Sequence, residues 1–146
     1  MTSSHVRRIR CVGAVVFDDA GRLLLIRRAN EPGRGFWSVP GGRVESGETD
    51  HDAVIREVVE ETGLAVQITG RLGSVQRCAA GDVVFDIHDY TCTATGGTVR
   101  AGDDASDARW CDAETLARLP VVDGLVDALT CWGCLPAHSR GSGRPG

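Results

Sequence analysis

The sequence predicts a mixed α/β domain, and three observations support this fold class. Short apolar runs typical of strands alternate with stretches that have the 3.6-residue period of helices. The chain has 146 residues, which is an ordinary length for one domain. Hydrophobic residues make up 42% and charged residues 25%, close to the average of globular proteins. We expect residues 10–135 to form a single domain, between polar tails at 1–9 and 136–146.

The first part of the chain has the pattern of a hairpin followed by a loop. Residues 11–17 and 23–27 are apolar runs, and the Asp-Asp-Ala-Gly turn sequence between them predicts an antiparallel pair. Residues 28–36 read as a loop. Residues 37–39 form a short extended piece that Pro40-Gly41-Gly42 ends.

One helix is predicted between Gly47 and Gly63. Thr49 with Asp52 three residues later makes a capping box, and Gly63 suits the position after the last helical residue. At 100° per residue, one side of this helix carries the apolar residues Val54, Ile55, Val58 and Val59.

The second half is predicted to form three strands and two helices. The strands lie near 64–78, 82–94 and 109–111. Asp112 can cap a helix that runs to about Leu119. A last helix is expected from about 121 to 130, with a packed face made of Val122, Leu125, Val126 and Leu129.

Charge and composition exclude several functions. The net charge is −4, and the basic residues, all arginine, form no block, so duplex nucleic acid is not an expected partner. No apolar run approaches the roughly 18 residues of a membrane span, and no signal peptide is recognisable, so we expect a cytoplasmic protein without a membrane partner. The six cysteines are expected to be reduced. Cys131 and Cys134 leave a zinc or redox site open. Either a monomer or a homodimer fits the sequence.

Three acidic residues of the central helix form the main functional signal. Glu57, Glu60 and Glu61 fall within a sector of about 100°, opposite the apolar side. Like charges four residues apart cost about 0.2–0.5 kcal/mol, and the helix dipole disfavours acids near the C-terminus. A divalent cation would remove both penalties, and clustered carboxylates suit Mg²⁺ or Mn²⁺.

A longer motif surrounds these acids. From Gly42 the chain has five residues, Glu48, seven residues, and then Arg56-Glu57-Val58-Val59-Glu60-Glu61-Thr62-Gly63-Leu64. This arrangement resembles the complete signature of the Nudix hydrolases. The flanking Trp37-Ser-Val-Pro-Gly-Gly and Ala108-Arg-Trp110 are also similar to that family's strands, so the resemblance covers most of 10–130.

The resemblance implies an α/β/α sandwich with a mixed central sheet. It also implies hydrolysis of a nucleoside diphosphate linked to another group X, with Mg²⁺ or Mn²⁺ as cofactor. By position, the implied metal ligands are Glu57, Glu60, Glu61 and the Gly41 carbonyl. Arg56 would orient the acidic cluster and pair with Glu48 as structural support. The predicted catalytic residues are therefore Glu57, Glu60 and Arg56.

The substrate and the general base stay open at this stage. Arg27, Arg28 and Arg34 flank the loop before the motif and are candidates to bind distal phosphates, as is the backbone of Gly42. The base is either a helix carboxylate or one of the later loop residues Asp103, Asp104 and Asp107. A (deoxy)nucleoside triphosphate is the expected substrate, and ADP-ribose or a sugar nucleotide is the alternative. Two rivals share the fold: a non-catalytic sensing domain, and an isomerase that uses Cys11 or Cys78.

Overall fold

The computed structural model describes residues 6–79 and 81–139, where seven strands and three helices alternate. Residues 1–5 and 140–146 of the predicted tails lie outside this description. The elements are β1 Arg7–Phe17, β2 Leu23–Arg28, β3 Trp37–Ser38, β4 Gly41–Arg43, α1 Asp50–Thr62, β5 Ala65–Ala79, β6 Val83–Gly96, β7 Ala105–Cys111, α2 Ala113–Arg118 and α3 Leu125–Cys131. No helix among the described residues is long and apolar enough to cross a membrane.

All the strands belong to one mixed sheet. Its main order is β3-β2-β1-β6-β5, with β4 beside β1 and β7 beside β2. β1 and β6 run parallel, whereas the other pairs are antiparallel. The predicted hairpin of β1 and β2 pairs at Phe17 and Leu23; farther along, β4 pairs with β1 and β3 pairs with β2. The short β3–β4 connection therefore lies where the sheet splits.

Helices cover both faces of the sheet, so the predicted α/β/α sandwich is confirmed. Because successive side chains of β1 point to opposite faces, its apolar residues divide between two cores. The core under α1 is formed by Val12, Ala14, Val16, Leu24, Ala53, Val54, Val58, Leu64, Val66, Tyr90 and Cys92. The core under α2 and α3 is formed by Val15, Leu23, Leu25, Trp37, Cys111, Leu116, Leu125 and Leu129.

Both ends of α1 follow the sequence prediction. The Thr49 side chain accepts a hydrogen bond from the Asp52 N–H, and the Asp52 carboxylate accepts one from the Thr49 N–H. Gly63 ends the helix in the left-handed region at φ 77°, where glycine carries no Cβ penalty. These caps set the rotation and length of the helix that carries the acidic residues.

The buried face of α1 differs from the prediction. Ile55 and Val59, expected in the core, are 42% and 45% exposed, whereas Glu61 is only 6% exposed. The helix packs through Ala53, Val54, Val58, Glu61 and Thr62. Glu61 lies near the centre of this buried arc. A carboxylate therefore faces the sheet at a position that the apolar pattern predicted to face solvent.

The ends of the domain also differ from the prediction. β1 begins at Arg7, inside the predicted tail, and pairs there with Val83. The last helix begins at Leu125 and not near residue 121, because Gly124 precedes it in a left-handed conformation. Val126, predicted to be packed, is 39% exposed. Within the predicted C-terminal tail, the Ala137 N–H donates to the Gly21 carbonyl. The six cysteines form no disulfide.

Candidate active site

Glu61 joins the acidic helix to the glycine loop. Its Oε1 accepts a hydrogen bond from the Gly41 N–H at 2.9 Å. Burial raises the pKa of Glu61 to about 8, against the opposing effect of the Gly41 donor, and the neighbouring charge of Glu57 raises it further. A carboxylate in this position is costly to ionise without a cation nearby.

Glu57 lies directly over Gly42. A Cβ on Gly42 would come 2.6 Å from the Glu57 Cδ, so no larger residue fits without displacing the carboxylate. A Cβ on Gly41 would collide with the Val12 carbonyl of β1. Burial also raises the pKa of Glu57, while the hydrogen bond from Arg56 opposes this shift. The two glycines thus let the strand pass close beneath both carboxylates.

Arg56 holds the acidic side chains together. It donates two hydrogen bonds to Glu48, at 2.6 and 2.9 Å, so the expected pair between these residues is present. It also donates to Glu57 at 2.9 Å, to Glu60 at 3.1 Å and to the Arg43 carbonyl at 3.0 Å. The hydrogen bonds from Arg56 lower the pKa of Glu48 to about 2, and those to Glu48 raise the pKa of Arg56. A guanidinium suits this role because its donors are fixed in one plane.

The donor set fits a hard divalent cation, although the carboxylates do not converge on one point. Among residues 6–79 and 81–139, no three acidic, histidine or cysteine side chains stand close enough to hold an ion. Arg56 binds one oxygen each of Glu57 and Glu60, and Gly41 binds one of Glu61. The other oxygen of each of these three carboxylates accepts no bond from Arg56 or Gly41, and carboxylate oxygens are the ligands that Mg²⁺ and Mn²⁺ prefer.

A loop that the sequence reading did not connect to α1 closes over the helix end. The N–H groups of Arg100, Gly102 and Asp103 donate to the carbonyls of Thr62, Glu61 and Glu60. A Cβ on Gly102 would collide with the Glu60 carbonyl. The glycine at this position is the sequence feature that could have indicated this contact between the loop and α1. The loop therefore satisfies helix carbonyls that have no partner within the helix.

The same loop brings Asp104 close to the acidic cluster. Burial is the largest cause of the raised pKa of Glu57, and the hydrogen bond from Arg56 opposes it. The negative charge of Asp104 also raises the pKa of Glu57, and it raises the pKa of Glu61 as well. Asp104 has a positive φ of 61° and accepts a hydrogen bond from the Asn30 amide. Asp107 instead accepts from the Ala108 N–H. Among the three predicted loop acids, Asp104 is thus the one whose charge acts on both carboxylates.

Two of the three predicted phosphate-binding arginines, Arg27 and Arg28, lie at the end of β2, and Arg34 lies in the loop that follows. Arg27 donates to the Ser106 hydroxyl at 2.8 Å, and Arg28 donates to the Pro32 carbonyl at 2.6 Å. Burial dominates the raised pKa of Glu61, and the positive charge of Arg28 partly opposes it. Arg34 is exposed and pairs with Glu31 at 3.8 Å. Arg28 is therefore the candidate whose charge acts on the acidic cluster.

Comparisons with known proteins agree with this geometry. The family model described as the NUDIX domain matches residues 7–129. The crystal structure of a MutT NUDIX hydrolase from Burkholderia pseudomallei has a TM-score of 0.75 and 30% identity, covering 85% of this chain and 97% of that one. This chain therefore belongs to the Nudix family.

Curated relatives carry different names. A protein of Methanocaldococcus jannaschii named ADP-ribose pyrophosphatase is 38% identical over 107 residues, which is 71% of this chain. The chain spans 62% of that relative, less than two thirds of its length. A protein of Escherichia coli named CTP pyrophosphohydrolase is 27% identical over 132 residues, covering 90% of this chain and 96% of that one.

Proposed function

We propose that this protein is a divalent-metal-dependent pyrophosphohydrolase that cleaves a nucleoside diphosphate linked to another group. The observation that carries the proposal is the placement of Glu57 and Glu61 against Gly42 and Gly41. Two neighbouring carboxylates are desolvated there, and Arg56 donates a hydrogen bond to Glu57 but not to Glu61, which accepts one from the Gly41 N–H. Such a site is built to gain a cation and, through it, an anionic substrate.

The residues of the acidic cluster have separate roles in this proposal. Glu57, Glu60 and Glu61 supply ligands for Mg²⁺ or Mn²⁺, with the Gly41 carbonyl as a further oxygen. Bound metal supplies positive charge that offsets the phosphate oxyanions and makes water more acidic. Arg56, held by Glu48, keeps Glu57 and Glu60 in position.

Residues around that cluster bind the substrate and accept the proton of the attacking water. In this proposal, Arg28, Arg27 and the backbone of Gly42 bind phosphate oxygens of the substrate. Asp104 or Glu57 takes the proton of the attacking water, since general-base catalysis needs a carboxylate within reach of it.

A (deoxy)nucleoside triphosphate is the proposed substrate. The similarity to the relative named CTP pyrophosphohydrolase, which spans nearly the whole of both chains, supports this choice. ADP-ribose or a sugar nucleotide is the second candidate, favoured by the relative named ADP-ribose pyrophosphatase.

A screen with Mg²⁺, in which added pyrophosphatase and phosphatase convert the products to free phosphate, tests the proposal. The panel contains the common nucleoside triphosphates, ADP-ribose, sugar nucleotides and dinucleoside polyphosphates, and each is run with the wild type and with Glu57→Gln. We expect turnover of at least one nucleoside triphosphate, its loss in the variant, and loss upon chelation of the metal. The absence of product from every compound would contradict the proposal and favour a sensing domain.

The general base can be separated from the metal ligands in the same assay. Asp104→Asn should lower kcat and leave the affinity for Mn²⁺ nearly unchanged if Asp104 takes the proton. Asp107→Asn is the control, because Asp107, predicted in the loop, lies on strand β7 and accepts a hydrogen bond from the neighbouring Ala108 N–H. Wild-type kcat in Asp104→Asn would assign the proton to a helix carboxylate.

A further inference from the structure

Asp89 is a buried acid that the proposed chemistry does not use. It lies on β6 and is only 4% exposed, yet its carboxylate accepts no hydrogen bond from any of the described residues. Burial raises its pKa to about 6, with opposing effects from His88 and Arg77. Neither side chain bonds it: the His88 ring contacts Arg71 and Asp86, and Arg77 donates to the Asp123 carbonyl. Unpartnered buried acids of this kind are costly, so an external donor is expected.

The fold makes room for this carboxylate. Asp89 pairs with Gly13 of β1, and a Cβ on Gly13 would lie 3.2 Å from the Asp89 Cγ and closer still to its Oδ1. Every fully buried side-chain oxygen among the described residues has a hydrogen-bond partner. Because the Asp89 carboxylate has none, its oxygens are not fully buried. Gly13 thus leaves room for the carboxylate against β1.

Asp89 belongs to a row of side chains on the sheet face opposite α1. Phe85, Ile87 and Asp89 alternate along β6 on this face, beside Ile9, Cys11 and Gly13 of β1. The outer end of this row lines a cavity of about 510 Å³, where the Arg43 guanidinium stands 5.8 Å from the centre of the Phe85 ring. Asp89 lies at the inner end.

The inner end is close to the proposed phosphate site. Gly13 lies between Asp89 on one side and Gly41 on the other. Two strand spacings of about 4.8 Å therefore separate Asp89 from Gly41, roughly 10 Å in all. The Gly41 N–H binds Glu61. β4 has two glycines and pairs only with β1 among the described strands, so its other edge is not covered by a strand.

We propose that Asp89 determines base specificity by accepting a hydrogen bond from the exocyclic amino group of the substrate's nucleobase. This inference rests on the proposed nucleotide hydrolysis and names the substrates within it. Cytosine presents an amino donor where uracil presents a carbonyl acceptor, and adenine presents one where guanine presents a carbonyl acceptor. A carboxylate facing that carbonyl oxygen is left unpaired, so substrates with an amino group are preferred.

The test compares CTP with UTP, which differ in this group. We expect the wild type to have a kcat/KM for CTP at least about 100-fold above that for UTP, because a site built for a donor rejects an analogue without one. Asp89→Asn keeps the volume and adds an amide donor for the uracil carbonyl. Its preference should fall to within about tenfold, since that amide pairs with either base. Asp86→Asn, on the opposite face of β6, is the control and should keep the wild-type ratio.

The outcomes separate this inference from the proposed function. An unchanged ratio in Asp89→Asn, or equal losses for both substrates, would overturn the specificity role. If the wild type turns over no nucleotide, the proposed function fails, and calorimetric binding of CMP and UMP then decides the role of Asp89. Tighter binding of CMP that depends on Asp89 supports the inference, and equal binding refutes it. Thermal melting of each variant shows that the fold is intact.

Discussion

The space above Gly42 gives the sharpest prediction about the site. In Gly42→Ala, the new methyl group would meet the Glu57 Cδ at 2.6 Å, whereas ordinary contact begins near 3.4 Å. The carboxylate must therefore move by roughly 1 Å. Displacements of this size in a catalytic arrangement cost about 100-fold in rate, so kcat/KM should fall by about that factor. The free energy of unfolding should change little, because Gly42 has no positive φ and Glu57 can turn toward solvent.

The assay is phosphate release under Mg²⁺ with the best substrate of the screen, together with thermal melting. Gly96→Ala is the matched control. It is also a strand glycine, but a Cβ there meets no atom within 4 Å, so its activity should equal that of the wild type. A Gly42→Ala enzyme within threefold of the wild type would show that the position of Glu57 does not govern turnover, and would refute the site as described.

Three further predictions concern the charged side chains. Glu61→Gln should abolish turnover but melt at or above the wild-type temperature in EDTA, because burial raises the pKa of Glu61 to about 8 and folding at neutral pH must protonate this carboxyl, a cost that a neutral amide does not have; a lower melting temperature would contradict this. Arg56→Lys should lower kcat by about tenfold or more, since an ammonium cannot replace the five hydrogen bonds that the guanidinium donates, and equal steady-state rates would argue against a positioning role. The hydrogen bond from Arg10 lowers the pKa of Asp50 to about 2 from 3.8, so this pair stabilises the fold above pH 4 and loses its effect as the pH falls toward 2. In melting curves between pH 6 and 2, Asp50→Asn should therefore show a smaller decrease at the acidic end than the wild type, and parallel curves would contradict the assignment.

Local features of the fold could be predicted because their contacts are short in sequence. The Thr49–Asp52 capping box and the left-handed Gly63 involve residues within a few positions of each other. The face of α1 could not be predicted in the same way. Hydrophobicity places Ile55 and Val59 inside, but the sheet edge that the helix meets contains the Gly41 amide, which Glu61 binds. The hydrogen bond from a backbone N–H distant in sequence thus had more effect on which face of α1 is buried than the apolar pattern.

The sequence by itself determined the family, the acidic helix and the residues Glu57, Glu60, Glu61 and Arg56, because motif spacing and side-chain chemistry are local information. Only the tertiary structure decided how far each acid is buried, since burial depends on strands and loops remote in sequence. Asp104 comes to the cluster from a loop that caps α1, and Asp89 meets Gly13 across 76 positions of the chain. No local pattern marks such contacts, because the energy that places them comes from packing the whole sheet.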